Sequence, residues 1–348
     1  MKKVKFGIIG AGGIADRRTL PGMLLAKNAE IYAVMEIDAK RAEELRQKYN
    51  AKYAYTDETE LLNNPEIEAV YIASPVVCHA RQAKLAADKG KQILIEKPIA
   101  MTIEEGEDVI NYCTQKGVKI AAGFMMRFGA HVMNMKKAIE EGKIGQVVSG
   151  YSQFTLWLPD DAGNWRLNKA KSGGGSLMDM GVHCIDLMEY ILGSKVKQVT
   201  AFNDTITFKY DVEDTSTLLL KMESGAQCVV ATNFNIPDDA AKWRLEFFGT
   251  KGRLMGDTII GQIDGGSLKA IFMDNVGGYD SEQTHKEAEE IDINGEFGNM
   301  YTREIESFAD SVLNNKPLVV PASDALHVQK VIAAAYESSK TNKIIDIK

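Results

Sequence analysis

The chain has 348 residues and a mass of 38.3 kDa, enough for two domains of ~100–200 residues each. Its 41 lysines and arginines stand against 48 aspartates and glutamates. The resulting net charge of −7 argues against a general nucleic-acid binder, whose affinity rests on neutralising phosphates. A hydrophobic content of 45% with 26% charged residues excludes a disordered or collagen-like chain.

Four scattered cysteines (Cys78, Cys113, Cys184 and Cys228) form no CxxC pair, so neither a disulfide scaffold nor a zinc ribbon is expected. The histidines at His79, His131, His183, His285 and His327 are too dispersed for a metal cluster, and no metal is expected. The apolar stretch Phe6–Ile9 is far shorter than the ~7–15 residues of a signal-peptide core. No run approaches the ~18 apolar residues of a membrane span. A soluble, cytoplasmic protein with neither a membrane nor a nucleic-acid partner is expected.

Short apolar runs alternate with helical patterns through the first third. Val4–Ile9 reads as a buried strand, Gly10–Gly13 as a turn, and Ile14–Lys27 as a helix interrupted or ended near Pro21-Gly22. Glu30–Met35 is the next strand. Lys40–Tyr49 has helical spacing, with Ala42, Leu45 and Tyr49 on one face. Strands at Ala69–Ala73, Gln92–Ile95 and Val118–Ala122 are separated by helices at His79–Lys89 and Ile103–Lys116, each stopped by a glycine. This alternation predicts βαβ units and a mostly parallel sheet, with its ligand crevice beyond the strand C-termini.

The pattern changes near Gly123. A helix at His131–Glu141 and a strand at Val147–Leu156 precede the glycine cluster Gly173–Gly175 and a helix from about Ser176 to Leu192. Strands are then predicted at Val196–Phe208, Ser216–Met222, Gln227–Phe234, Arg244–Phe248, Gly252–Asp257, Lys269–Met273 and Ala288–Ile293. Consecutive strands with short turns indicate an antiparallel sheet. Two last helices, Tyr301–Asn314 and Ser323–Lys340, bracket Pro317–Pro321. The expected organisation is an α/β domain over 1–123 and an α+β domain over 124–348.

The segment Gly10-Ala-Gly12-Gly13-Ile14-Ala15 contains G-x-G-x-x-A between a strand and a helix. Gly10 permits the tight turn, Gly12 a close backbone approach to a pyrophosphate, and Ala15 close strand–helix packing. Glu36 stands 21 positions after Ala15, at the end of the second strand. A carboxylate there accepts hydrogen bonds from ribose hydroxyls and repels a 2′-phosphate, which favours NAD over NADP. The alternative is that Glu36 is merely solvated and Asp38 makes the ribose contact. Arg41 stands near the adenine or is a surface helix charge.

Ser74, Pro75 and His79 follow another strand and are candidates for the nicotinamide side. Glu96-Lys97-Pro98 interrupts an otherwise apolar strand end. It puts a lysine at the crevice, with Glu96 bonding the cofactor or holding the lysine. In Ser172-Gly-Gly-Gly-Ser-Leu-Met-Asp179-Met-Gly-Val-His183, the aspartate and histidine are four apart and project from one helix face. Histidine suits proton exchange near neutral pH, and Asp179 can orient substrate or sustain an imidazolium. A core histidine with a capping aspartate is the other reading.

The ordered set of motifs resembles the glucose–fructose oxidoreductase / inositol dehydrogenase / MocA family. The matching stretches are Gly10–Ala15, Ala73-Ser74-Pro75 with His79, Glu96-Lys97-Pro98, and Gly173-Gly-Gly175 with Asp179 and His183. Arg127-Phe128, Gly142-Lys-Ile-Gly145 and Ala334-Ala-Tyr-Glu-Ser-Ser339 also look like family positions. The resemblance implies an N-terminal Rossmann domain and a C-terminal domain on a large, open, mostly antiparallel sheet, through which members form homo-oligomers.

It also implies Lys97, Asp179 and His183 as the catalytic residues and Trp165 and Arg166 near substrate, with the loop Trp157–Lys171 lining the pocket; Arg127 lies near substrate or cofactor, or pairs with a carboxylate at the domain interface. The segment Trp165-Arg166-Leu167 is similar to one in anhydrofructose reductases. NADP-using members of that kind carry an uncharged or basic pair where this chain has Glu36-Ile37. The expected activity is hydride transfer between a nicotinamide and a carbinol or carbonyl carbon of a sugar, cyclitol or related polyol. The competing expectations are an NAD-dependent glycosidase of the same family and a non-catalytic nucleotide-sensing protein. The latter has no need of the Lys97, Asp179 and His183 set.

Overall fold

The computed structural model describes residues 2–348 other than 162, 275, 283 and 285–287. His285, and Ala162 of the Trp157–Lys171 loop, lie outside the described residues. Contacts divide the chain into two compact units. One is Met1–Phe128 with Asn299–Gln329, the other Gly129–Gly298 with Lys330–Lys348.

The first unit is built on six strands: β1 (Val4–Ile9), β2 (Ala29–Met35), β3 (Tyr53–Tyr55), β4 (Ala69–Ile72), β5 (Gln92–Ile95) and β6 (Ile120–Ala122). Their order is β3-β2-β1-β4-β5-β6, and every pair is parallel. β1 and β4 are almost wholly buried, as their near-continuous apolar runs require of a sheet covered on both faces. The strand order reverses between β1 and β4, and that switch point is where such sheets bind ligands.

Three features differ from the sequence reading. β3 and the helix Glu58–Asn63 were not predicted; at three and six residues they are too short to show a period. The helix after the glycine turn runs past Pro21. Its first turn, Ala15–Thr19, is a wide π turn in which the Leu20 amide donates to the Ala15 carbonyl. Such a turn accommodates a nearby proline, which has no amide to give.

The third difference concerns the boundary expected at 123/124. The first compact unit extends to Phe128 and takes back residues 299–329, because the helix Met300–Asn314 closes its core. Ile305, Phe308 and Ala309 join the cluster of Val4, Phe6 and Ile8, and the Phe6 and Phe308 rings lie 5.9 Å apart.

The second unit carries nine strands: β7 (Val147–Thr155), β8 (Val196–Asp204), β9 (Thr215–Met222), β10 (Gln227–Asn233), β11 (Arg244–Gly249), β12 (Gly252–Asp257), β13 (Ser267–Phe272), β14 (Ile291–Asp292) and β15 (Ile345–Asp346). They are ordered β14-β13-β12-β11-β7-β10-β9-β8-β15. All neighbours are antiparallel except β7 and β10. Alternate residues such as Leu218, Leu220 and Met222 are buried while Thr217, Leu219 and Lys221 are exposed, the period-two pattern of a sheet with one covered face.

The two-residue strand β15 was not predicted, and β14 is shorter than expected. β8 stops at Asp204 rather than Phe208. The amides of Ile206, Thr207 and Phe208 turn instead to the buried Asp214 carboxylate, at 2.9, 2.8 and 3.1 Å. Among the described residues no helix is long and apolar enough to cross a membrane.

Candidate active site

The turn after β1 is set by sterics. Gly10 has φ +76°, and a Cβ there would lie 2.6 Å from the Ser74 backbone nitrogen. Its amide and that of Ala11 both donate to the Met35 carbonyl, at 3.1 and 3.0 Å. The turn is thereby pinned to the ends of β2 and β4. A Cβ on Gly13 would meet nothing within 4 Å, so the turn is open on that side. Ala15 is fully buried. This cradle fits a dinucleotide pyrophosphate: small residues, amides at a helix start and an open side.

Glu36 lies at the end of β2. Its Oε2 accepts the Gly12 amide at 2.9 Å and its Oε1 the Ile37 amide at 3.1 Å. Asp38, the alternative ribose acceptor, caps the helix Ala39–Lys48 by accepting the Arg41 amide at 3.0 Å. The Arg41 guanidinium is held by Asp16 at 2.7 Å and by Glu44 at 3.3 Å.

Pro75 caps the helix Val76–Asp88, which begins three residues before its predicted start. The Ser74 hydroxyl donates to Gln82. His79 is 2% exposed, and both its ring nitrogens face carbonyl oxygens at 2.9 Å, Nδ1 that of Pro98 and Nε2 that of Ser74. The ring therefore ties the loop after β4 to the loop after β5. Burial lowers the imidazole below its usual range, against the pull of those two carbonyls.

Lys97 is half-buried, with a cis peptide bond to Pro98. Beside it Glu96 accepts a 2.6 Å hydrogen bond from the Tyr71 hydroxyl, which is also bonded to Thr19 at 2.9 Å. Burial pushes the Glu96 carboxyl upward, against the lowering effects of Tyr71 and Lys97. Tyr71 gave no signal in the sequence; it is one apolar-looking residue in a strand.

In the second unit, the predicted helix from Ser176 opens with a π turn, Leu177–Gly181, before the α-helix Val182–Leu192. The Val182 amide donates to the Leu177 carbonyl, and a Cβ on Gly181 would meet the Leu177 side chain at 2.6 Å. Each glycine turn of the molecule named above is thus followed directly by a π turn, a distortion common at functional sites.

Asp179 sits in this π turn and His183, 6% exposed, in the first turn of the helix. Arg166 Nε lies 3.3 Å from Asp179 Oδ2, and the guanidinium is 4.9 Å from the centre of the Trp165 ring. Trp165 and Arg166 are fixed by a short turn whose cap, Asn164, accepts the Arg166 amide at 3.1 Å. Cys184 adjoins His183, but burial pushes its thiol up to about 12, so it is no nucleophile near neutral pH.

Family models match both halves of the chain. One, described as an oxidoreductase family with an NAD-binding Rossmann fold, matches residues 4–124; the other, the GFO/IDH/MocA C-terminal domain, matches residues 132–255. The chain is 30% identical to uncharacterized oxidoreductase ORF334 of Rhizobium meliloti, over 72% of this chain and 73% of that protein.

The chain belongs to the GFO/IDH/MocA oxidoreductase family. It is 28% identical to D-xylose 1-dehydrogenase (NADP(+)) 2 of Haloferax volcanii, over 98% of this chain and 99% of that one. The crystal structure of aldose-aldose oxidoreductase from Caulobacter crescentus shares the fold at a TM-score of 0.87 and 23% identity, covering 99% of this chain and 100% of that one. As a member of the family the chain is an NAD(P)-dependent oxidoreductase.

Of the readings open for Arg127, the structure shows the pairing with a carboxylate. Arg127 is 1% exposed, and its Nη1 donates to Asp324 at 2.9 Å and to the Val319 carbonyl at 2.8 Å. It anchors the segment before the last helix of the chain. Charge and position in sequence look alike for an anchoring arginine and a ligand-binding one; only burial separates them.

Proposed function

We propose that this GFO/IDH/MocA protein is an NAD-dependent dehydrogenase or reductase acting on a carbinol or carbonyl carbon of a sugar, cyclitol or related polyol. The cofactor preference rests on the Glu36 carboxylate at the Gly12 amide. A fixed negative charge there repels a 2′-phosphate and offers acceptors to ribose hydroxyls. The name of the Haloferax volcanii relative includes NADP, so family membership by itself does not select the nicotinamide.

Gly10, Gly12, Gly13, Ile14 and Ala15 would hold the pyrophosphate, with Ser74, Pro75, Glu96 and Lys97 toward the nicotinamide. When bound, the nicotinamide supplies a hydride acceptor or donor. His183 takes the proton from the substrate hydroxyl on oxidation and returns it on reduction. Lys97 contributes a positive charge that offsets negative charge developing on a substrate oxygen. Asp179 orients the substrate and favours the protonated imidazole, while Arg166 and the Trp165 ring contribute to the substrate wall.

The test is a panel of sugars, cyclitols and polyols assayed by absorbance of the reduced nicotinamide, with NAD and NADP in parallel. Turnover with a higher kcat/KM for NAD is expected. Equal use of NADP overturns the cofactor assignment, and no turnover with either overturns the activity.

A further inference from the structure

The glycine turn before Asp179 is held by a residue far along the chain. Glu213, just before β9 and 8% exposed, accepts three hydrogen bonds on its Oε1. The donors are the amides of Gly175 at 2.9 Å and Leu177 at 3.1 Å and the Tyr336 hydroxyl at 2.8 Å. The Glu213 backbone carbonyl accepts a fourth, from the Ser176 amide at 3.0 Å.

The fit is tight. A Cβ on Gly174 would lie 1.9 Å from Tyr336 Oη, and one on Gly175 would lie 1.9 Å from the Glu213 carbonyl oxygen. Gly174 and Gly175 are therefore glycines because Glu213 and Tyr336 press against them. Leu177 opens the π turn that carries Asp179, and Ser176 ahead of it supplies no side-chain cap. The Glu213 carboxylate does the capping instead, with a charge suited to a helix start.

We infer that Glu213 and Tyr336 are positioning residues: together they fix the Gly173–Leu177 turn, and through it the direction in which Asp179 and His183 are presented. The inference rests on the proposed roles of those two residues. Neither Glu213 nor Tyr336 need touch substrate. A reacting group displaced by ~1 Å can cost about a hundredfold in rate, so loosening this turn acts on turnover before it acts on folding.

Three variants test it. Tyr336→Phe removes one hydroxyl and keeps the ring. Glu213→Leu removes every side-chain acceptor, and Glu213→Gln retains Oε1 as an acceptor. Each is measured for kcat, for KM of substrate and of nicotinamide, for thermal midpoint, and for amide hydrogen exchange of the peptide spanning Gly173–Val182.

In Tyr336→Phe, kcat should fall about tenfold or more, with KM for nicotinamide unchanged and faster exchange confined to that peptide. Glu213→Gln should recover most of what Glu213→Leu loses. If Glu213→Leu does not fold, Tyr336→Phe decides alone. Unchanged kcat in Tyr336→Phe overturns the inference, whatever the exchange shows; so does a lowered kcat with exchange unaltered in this peptide. If the wild type turns over nothing on the panel, the proposed activity fails first. The exchange then decides: unchanged rates in Tyr336→Phe overturn the brace, and faster rates support it.

Discussion

The Glu36 carboxylate accepts the Gly12 amide at 2.9 Å, joining the end of β2 to the turn after β1. A negative charge is thereby fixed beside the glycine turn. Replacing Glu36 with serine should raise the NADP-to-NAD ratio of kcat/KM by about tenfold, since a repulsion of about 1.4 kcal/mol is removed. Steady-state kinetics with both nicotinamides checks this. An unchanged ratio removes Glu36 from cofactor selection.

Gly10 combines φ +76° with a Cβ position 2.6 Å from the Ser74 nitrogen. The obstacle is backbone, which cannot swing aside as a flexible side chain can. Gly10→Ala should destabilise the first unit by about 1–3 kcal/mol, read as a lower midpoint in denaturant. Gly13→Ala meets no neighbour within 4 Å and should fold normally, so any defect it shows belongs to nucleotide binding.

Lys97→Ala should lower turnover about a hundredfold or more while leaving NAD binding within about twofold, because its charge acts on the reacting oxygen. Fluorescence titration with NADH separates the two effects. Equal losses in binding and turnover would make Lys97 a cofactor contact only.

Arg127→Ala leaves Asp324 without the guanidinium that it meets at 2.9 Å. A loss of about 3 kcal/mol is expected. Substrate KM of the folded enzyme should be unchanged, which distinguishes an anchoring arginine from a substrate-binding one. A large rise in KM at unaltered stability would return Arg127 to the substrate site.

Asp214 supplies a pH dependence. Burial alone would raise its carboxyl, but the amides of Ile206, Thr207 and Phe208 and the Thr215 hydroxyl outweigh that, and the group lies below its ordinary range. A depressed folded value adds stability above the unfolded value, and that stability is lost as pH falls through the folded one. Asp214→Asn should therefore melt lower at pH 7 and show a shallower loss below about pH 4. Parallel thermal melts with equal acid limbs would exclude this role.

Much of the candidate site was legible because its signals are local. Gly10, Gly12 and Ala15 are spaced by one turn between a strand and a helix, and Glu36 is reached by a single βαβ unit. Asp179 and His183 lie within one helix, so the glycine cluster and the spacing announce them together. Glu213 and Tyr336 carry no comparable signal. They meet Gly175 and Gly174 from 38 and 162 positions away, distances at which no spacing rule operates. Two acids opening an apolar strand, Glu213-Asp214 before Thr215–Met222, and the place of Tyr336 in the family-like stretch Ala334–Ser339 were hints, but neither pointed to the other.

The sequence by itself determined the parallel sheet, the antiparallel sheet and the dinucleotide cradle. Hydrophobic period, glycine position and chain order act over a few residues and leave their pattern in the chain. Only the tertiary structure decided that the helix Met300–Asn314 completes the first unit, that Arg127 is an anchor, and that Glu213 caps the Asp179 turn. Each of these depends on which buried polar or apolar surface finds its partner at long range. A charge or an apolar face reads the same in sequence whether water or another segment satisfies it.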